Sequence, residues 1–419
     1  MPFHWLQALA LYLPSLLSRY STQVLVIAIP WLLQAQGVGL ADISAALLPF
    51  YAGSFLFSAI ASVRPPTWNL PLTLVAVLAL QGLFSLLCLL SMSMAWLAVF
   101  RFLQGAATGL SRPLAQLWAL ERDTSAQASA GKKMQVNVFV QVAIALGMAL
   151  GSHVGVMLGR ERGGLGFLVL AVLIPVVIAC ASVWMLARRP AVDVLAPFMP
   201  QEAAPHNPTE VPPASAGGLR GLKPGLAGAF LVFLASMAAY NVWPVLVPYT
   251  VRSRGLTELS AVLALVLALQ PLLFGLAQLV AAAALKRIFA GDRMLLGLLL
   301  GSHVVSLLLL RVAALQDEPW IFGLSFLMAA GLVVAAIYPL SSLLLMRHVE
   351  HLPAGERRAS QRRLILLFGL AGDLGQLLGG GLLVCGIFPG QPLDLLWLTV
   401  LLALPAVLGL GGQPQRERS

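Results

Sequence analysis

Apolar runs of about 20 or more residues, each long enough to cross a bilayer as a helix, recur along this chain. They fall near residues 8–35, 41–63, 69–91, 94–119, 133–159 and 163–187. After a polar stretch they resume near 224–251, 257–285, 292–315, 318–346, 361–387 and 391–411. The fold class expected is an all-α membrane protein, with about twelve transmembrane helices in two sets of six. Of the 419 residues, 59% are hydrophobic and only 10% charged. A soluble domain carries about 25% charged residues. No single aqueous core would hide this much apolar surface.

The formal net charge of +10 raises the question of nucleic acid. The placement of the charge argues against it, because basic residues cluster in short loops between the apolar runs. Lys132, Lys133, Arg188, Arg189, Lys286, Arg287, Arg293, Arg357, Arg358, Arg362 and Arg363 fall on one side of the membrane. The opposite loops hold Arg160, Arg162, Arg252, Arg254 and Arg311. Such a bias places both termini in the cytoplasm and the basic loops against anionic lipid. The first run lacks a basic leader and is too long for a signal peptide, so it is expected to remain as the first membrane helix.

Residues 188–223 differ from their surroundings. Pro190, Pro197, Pro200, Pro205, Pro208, Pro212, Pro213, Gly217 and Gly218 make a stretch that cannot bury a core. It divides the chain into an N-terminal six-helix bundle, 1–187, a cytoplasmic linker, 188–223, and a C-terminal six-helix bundle, 224–419. The two parts echo one another. Leu40-Ala41-Asp42-Ile43-Ser44 matches Leu256-Thr257-Glu258-Leu259-Ser260, and Pro113-Leu114 matches Pro339-Leu340. Ala130-Gly131-Lys132-Lys133 matches Ala354-Gly355-Glu356-Arg357, and Gly151 and Gly155 match Gly375 and Gly379. Four matches in one order argue for a parallel repeat about an axis along the membrane normal.

The helix count, the repeat and the central linker resemble the major facilitator superfamily over the full length. Arg101-Phe102-Leu103-Gln104-Gly105 resembles its fourth-helix motif, R-x-x-Q-G. Gly147-Met148-Ala149-Leu150-Gly151 with Gly155 resembles the glycine-rich fifth-helix motif of its antiporters, without the usual proline. The loop 2–3 signature is replaced by Arg64-Pro65-Pro66, and a degenerate echo, Lys286-Arg287 before Gly291-Asp292-Arg293, sits in loop 8–9. The resemblance implies two bundles rocking about a central cavity lined by helices one, four, seven and ten. It also implies a bacterial cytoplasmic membrane and a monomer.

Three arginines lie deep within apolar runs, well away from the run ends: Arg19, Arg101 and Arg112. A charge at bilayer depth costs roughly 2.5–3.5 kcal/mol on insertion scales, so such residues usually face a cavity or a partner. Arg101 and Arg112 are eleven residues apart, close to three helical turns and about 16 Å of rise. Gln104, Thr108 and Gln116 share their face. Arg101 reads either as a site residue or as a structural arginine tying helix ends, together with Gly147, Gly151, Gly155, Gly375 and Gly379 as structural or gating positions. Arg19, with Ser15, Thr22 and Gln23 at helical spacing, and Arg112 are candidates to grip a carboxylate or phosphate with guanidinium forks. The alternative is burial against an acid. Asp373, in Gly372-Asp373-Leu374-Gly375-Gln376, is the carboxylate deepest within a run. Three readings stay open for it: proton carrier, counter-ion of an arginine, or helix packing.

From the C-terminal part, Tyr240, Asn241, Trp243, Tyr338 and Ser341 offer aromatic and neutral hydrogen-bonding groups around Pro244, Pro248 and Pro339. Ordinary helix packing is the competing account. His153 and His303 also lie in apolar runs, where packing outweighs a proton-relay role. His348-Val349-Glu350-His351 lacks the spacing of a metalloprotease helix. No metal site or cofactor is expected, and no enzyme fingerprint is visible. Cys88, Cys180 and Cys385 read as small apolar core residues.

The substrate-binding candidates are therefore Arg19, Thr22, Gln104, Thr108, Arg112, Tyr240, Asn241, Trp243, Tyr338 and Ser341, with Asp373 for proton coupling. The function expected is secondary transport of a small amphipathic organic anion, a carboxylate metabolite or siderophore, with export and proton coupling as the preferred mode. A broad drug exporter and a non-transporting receptor or scaffold are the alternatives.

Overall fold

The computed structural model describes residues 4–63, 69–91, 93–122, 130–160, 164–189, 224–241, 292–315 and 369–381, with isolated positions at 269, 321–341 and 384. Among them the regular structure is helical. In chain order the long helices are α1 (His4–Ala35), α2 (Leu40–Val63), α3 (Leu70–Leu90), α4 (Met94–Arg122), α5 (Ala130–Arg160), α6 (Leu165–Ala187), α7 (Pro224–Asn241) and α8 (Asp292–Leu315). A further helical segment covers 369–381. These agree with the expected runs to within a few residues at most ends; α7 is described only as far as Asn241. Of the runs at 257–285 and 318–346 only isolated positions are described, and the run at 391–411 and most of the linker lie outside the described residues, so the count of twelve does too.

Local chemistry sets several helix ends. Gly37, at φ +83°, takes the left-handed turn that stops α1. Its N–H bonds Gln34 O at 2.9 Å and that of Val38 bonds Leu33 O at 3.1 Å, satisfying two of the last carbonyls. Asn69 caps α3 by accepting from Leu72 N, ahead of Pro71 in the first turn.

Five of these helices contain a stretch long and apolar enough to cross a membrane: Leu9–Ala35, Leu40–Ile60, Leu70–Leu90, Phe139–Gly159 and Leu165–Ala187. α4, despite its 29 residues, falls outside that set. The cause is its polar face, since Arg101, Gln104, Thr108 and Ser111 all turn inward. Leu72, Leu80, Phe167, Val177 and Trp184 point outward, as lipid-facing residues must.

Small residues decide how the helices meet. On α5, Gly147, Gly151, Gly155 and Gly159 recur every fourth residue and form one face. That face lies on the α1 backbone. A Cβ added at Gly147 would sit on Leu16 O, one at Gly151 would come within 2.5 Å of Tyr20 O, and one at Gly155 within 2.7 Å of Val24 O. In the C-terminal elements Gly375 and Gly379 lie against Leu234 and Ala238 of α7 in the same manner. The sequence echo between these glycines is thus also an echo in packing. α2 and α4 interlock similarly: Gly105 meets Phe50 O, Gly109 meets Ser54 O, and Gly53 meets Phe102 O. With almost no hydrophobic drive between helices in lipid, such close approach supplies the van der Waals contact. Behind these seams an apolar core joins Leu74, Leu78, Leu114, Trp118, Val140 and Val183.

Candidate functional site

The polar face of α4 meets two different environments. Near its start, Arg101 is 0% exposed. Its Nη1 donates to Gln104 Oε1 at 2.6 Å, and its guanidinium lies 4.5 Å from the Phe50 ring centroid on α2. Gln104 passes the chain of bonds to α3, donating to Ser85 Oγ at 2.8 Å, and Ser85 donates to Gln81 O at 2.7 Å.

Gln81 is the hub of this buried network. Its Nε2 donates to Ser18 O and to Thr22 Oγ1, both at 2.9 Å. Its Oε1 accepts from Ser18 Oγ at 2.9 Å and from Ser111 Oγ at 3.2 Å. Thr22 in turn donates to Ser18 O, and Thr108 to Gln104 O, both at 2.9 Å. One amide therefore uses both donors and its carbonyl and ties α1, α3 and α4 together, while Nε and Nη2 of Arg101 meet no hydrogen-bond partner among the described residues. Of the candidate substrate ligands, Thr22, Gln104 and Thr108 all belong here. They are buried and bonded within the N-terminal helices.

Eleven residues further along α4 the surroundings change. Arg112 is 27% exposed along its side chain, and its Nη1 lies 3.3 Å from Oδ1 of Asp373, itself only 4% exposed. Ser58 of α2 donates to the other oxygen, Oδ2, at 2.8 Å. The carboxylate of a C-terminal segment is thus held by two N-terminal helices, one contact per oxygen. Gly369, one turn before Asp373, leaves room for the guanidinium: a Cβ there would stand 2.7 Å from Arg112 Nη2. Further along the same segment, Gly380 faces Leu48 and Tyr51 of α2, and Leu377 packs on Val26, Phe50 and Tyr51. As α2 runs from Tyr51 to Ser58 its partner runs from Gly380 back to Asp373, so the two cross antiparallel.

The remaining candidates are dispersed. Arg19 is half-buried on α1 and makes interactions of its own. Tyr240 and Asn241 end α7. Ser341 is buried, and its hydroxyl meets no hydrogen-bond partner among the described residues. Trp243 and Tyr338 lie outside the described residues, as does the 348–351 loop. His303 is buried and 2.8 Å from Ser236 Oγ on α7, whereas His153 is exposed on α5. No cluster of three metal-ligating side chains occurs among the described residues.

Sequence reasoning overlooked Gln81, Ser58 and Gly369. Gln81 carried a signal, as an amide inside an apolar helix. Ser58 carried none, because a serine is ordinary in a membrane helix and only the fold brings it to Asp373.

Solved structures with the same architecture are transporters. A bacterial homolog of the human lysosomal transporter Spinster, inward-facing and unoccupied, is 15% identical, with 97% of this chain and 96% of that one covered and a TM-score of 0.66. The nucleoside transporter NupG, in a mutant form, is 11% identical, with 97% and 99% covered and a TM-score of 0.64. The Spinster homolog in its inward-facing, occupied form gives 14% identity, 97% and 96% coverage and a TM-score of 0.61. No curated protein matches the chain. The model of the Major Facilitator Superfamily matches residues 11–380, so the chain belongs to that superfamily and is a multi-pass membrane transporter, not an enzyme.

Proposed function

We propose that the protein is a secondary transporter for small amphipathic organic anions, and that Arg112 is the group that grips the anion. The observation carrying this reading is the Arg112–Asp373 pair, in which a part-exposed guanidinium meets a carboxylate from the C-terminal segment. A substrate carboxylate is chemically the same partner. It takes the place of Asp373 on the guanidinium, and the displaced Asp373 binds a proton from the side to which it is open. Two bundles of six helices rock about this point, exposing it to each side in turn. When the proton leaves, Asp373 reclaims Arg112 and the anion is expelled. One negative charge faces Arg112 in either condition, so neither state buries an unpaired ion.

Arg19 supplies a second cation to the cavity, and Tyr240, Asn241, Trp243, Tyr338 and Ser341 supply its aromatic and neutral wall. The Lys and Arg bias of the loops supports cytoplasmic termini in a bacterial inner membrane. The glycine-rich fifth helix favours export, which in this cycle carries the proton outward with the anion and runs on the anion's own outward gradient. Carboxylate metabolites and siderophores have the required chemistry, and a monomer suffices for the cycle.

The test is binding and flux in proteoliposomes. Arg112→Gln should weaken anion binding by about 2 kcal/mol, the low end for loss of a charged contact, because the site is part-exposed. Asp373→Asn should lose the response to a pH gradient while retaining substrate exchange, which moves no net proton. Unchanged anion affinity in Arg112→Gln rejects the reading.

A further inference from the structure

We propose that Ser58 is a positioning residue of the transport cycle, holding Asp373 to α2 when the N- and C-terminal elements close at this level and releasing it at little cost when they part. The proposal rests on the exchange of partners at Arg112 and adds a residue to it.

Among the described residues the geometry gives Ser58 two acceptors. Its Oγ lies 2.8 Å from Asp373 Oδ2 and 3.2 Å from Gly109 O on α4. A hydroxyl has one proton, so one acceptor at a time receives a full hydrogen bond. The shorter bond goes to the carboxylate, and the longer stays within the N-terminal helices. The second acceptor exists because α2 and α4 touch backbone to backbone. A Cβ at Gly109 would collide with Ser54 O, one turn from Ser58. The small residues of this seam thus bring the Gly109 carbonyl within reach.

The consequence is a donor with an acceptor in both conditions. With Asp373 seated, Ser58 serves the carboxylate, and charge-assisted bonds are the stronger kind. With Asp373 withdrawn, the hydroxyl turns to Gly109 O and no buried donor is orphaned. An apolar residue here would leave Oδ2 unserved in the closed arrangement. A donor without a second acceptor would make separation costly. Among the described residues, the charged or titratable groups on elements packed against this segment near Asp373 are Arg112 on α4 and, two turns away, Tyr51 on α2.

The seam can be read directly by cross-linking, without substrate. Gly380 faces the Leu48 side chain, a Cβ there standing 3.1 Å from Leu48 Cδ1. Leu48→Cys with Gly380→Cys, with Cys88, Cys180 and Cys385 replaced by alanine, therefore reports closure in membranes. Adding Ser58→Ala should slow disulfide formation severalfold. Ser58→Thr, which keeps the hydroxyl, should restore it. In an Asp373→Ala background Ser58→Ala should change nothing further, because the acceptor is gone. Wild-type cross-linking in Ser58→Ala overturns the proposal, as does an equal slowing with and without Asp373. If Ser58→Ala misfolds, the decision passes to Ser58→Thr, which must then cross-link at the rate of Ser58 itself. Cross-linking that behaves as expected while Arg112→Gln keeps full anion affinity would reject the substrate reading and leave the role of Ser58 standing.

Discussion

Arg101 and Arg112 sit on one face of one helix and have opposite surroundings. Arg101 is sealed against Phe50 and bonded to a neutral amide of its own helix, with two of its nitrogens unpaired among the described residues. Arg112 is open over a quarter of its side chain and paired with an acid from the far end of the chain. The difference comes from what packs against each level of α4. At the first, α2 and α3 close over the polar face. At the second, the start of the segment 369–381 approaches, and glycine at 369 makes room for the guanidinium. A charge enclosed by neutral neighbours has no competitor to exchange with. A charge paired across a seam can exchange its partner for another anion. Sequence spacing makes the two arginines equivalent, and tertiary packing separates a fixed one from an exchangeable one.

The largest effect should come from breaking the enclosed network at its hub. Gln81→Leu removes a group that makes four bonds to Ser18, Thr22 and Ser111. An orphaned buried polar group costs about 1–3 kcal/mol, and serine or threonine softens this by bonding back to its own helix. Thr22 and Ser111 already have such acceptors, Ser18 O and Thr108 O. We expect a net loss of about 2–4 kcal/mol, read as a fall in melting temperature in detergent. Anion affinity of the folded fraction should hold. A tenfold loss of affinity with unchanged melting would move the network into the binding site and erase the contrast.

Next in size is the exchangeable pair, and here the signature is coupling. Arg112→Gln leaves Asp373 buried beside Ser58 alone, and Asp373→Asn leaves Arg112 without its acid. Each single variant should lose stability, and the double variant should recover part of it, giving a coupling energy of about 1–2 kcal/mol. Thermal melting of all four forms at one pH measures this. Additive losses would mean that the pair contributes nothing as a pair in the folded protein.

The fold was more legible than the site, for a physical reason. Bilayer thickness fixes the length of a spanning helix, so apolar run length alone located α1 to α6, the start of α7 and the whole of α8. The glycines at 147, 151 and 155 were legible through their spacing, since only small residues at every fourth position allow backbones to touch. Partners were not legible. A polar stripe at helical spacing says that Arg101, Gln104, Thr108 and Arg112 avoid lipid, and says nothing of what meets them instead. Gln104 and Thr108 meet neighbours in their own half of the chain, whereas Arg112 meets a residue 261 positions away. Three candidates on one stripe thus part company at a distance that no local pattern encodes.

The smallest expected effect tests that boundary most finely. Thr108 lies one turn from Arg112 on the same stripe, which is why its spacing marks it as a substrate ligand. In the structure its residue is 1% exposed, its hydroxyl donates to Gln104 O, and its contact with Thr22 is long, at 3.5 Å. Valine has nearly the same shape and lacks only the hydroxyl. Thr108→Val therefore removes one bond to a carbonyl that already serves its own helix ladder, and removes donor and acceptor together. Such exchanges cost little, about 0.5–1 kcal/mol. Melting should fall by no more than a few degrees, and anion affinity should stay within twofold. A tenfold loss of affinity without loss of stability would show that the hydroxyl reaches the anion, with the cavity extending from Arg112 toward the start of α4. The sealed and exchangeable regions would then be one site, and Arg101 would belong to it.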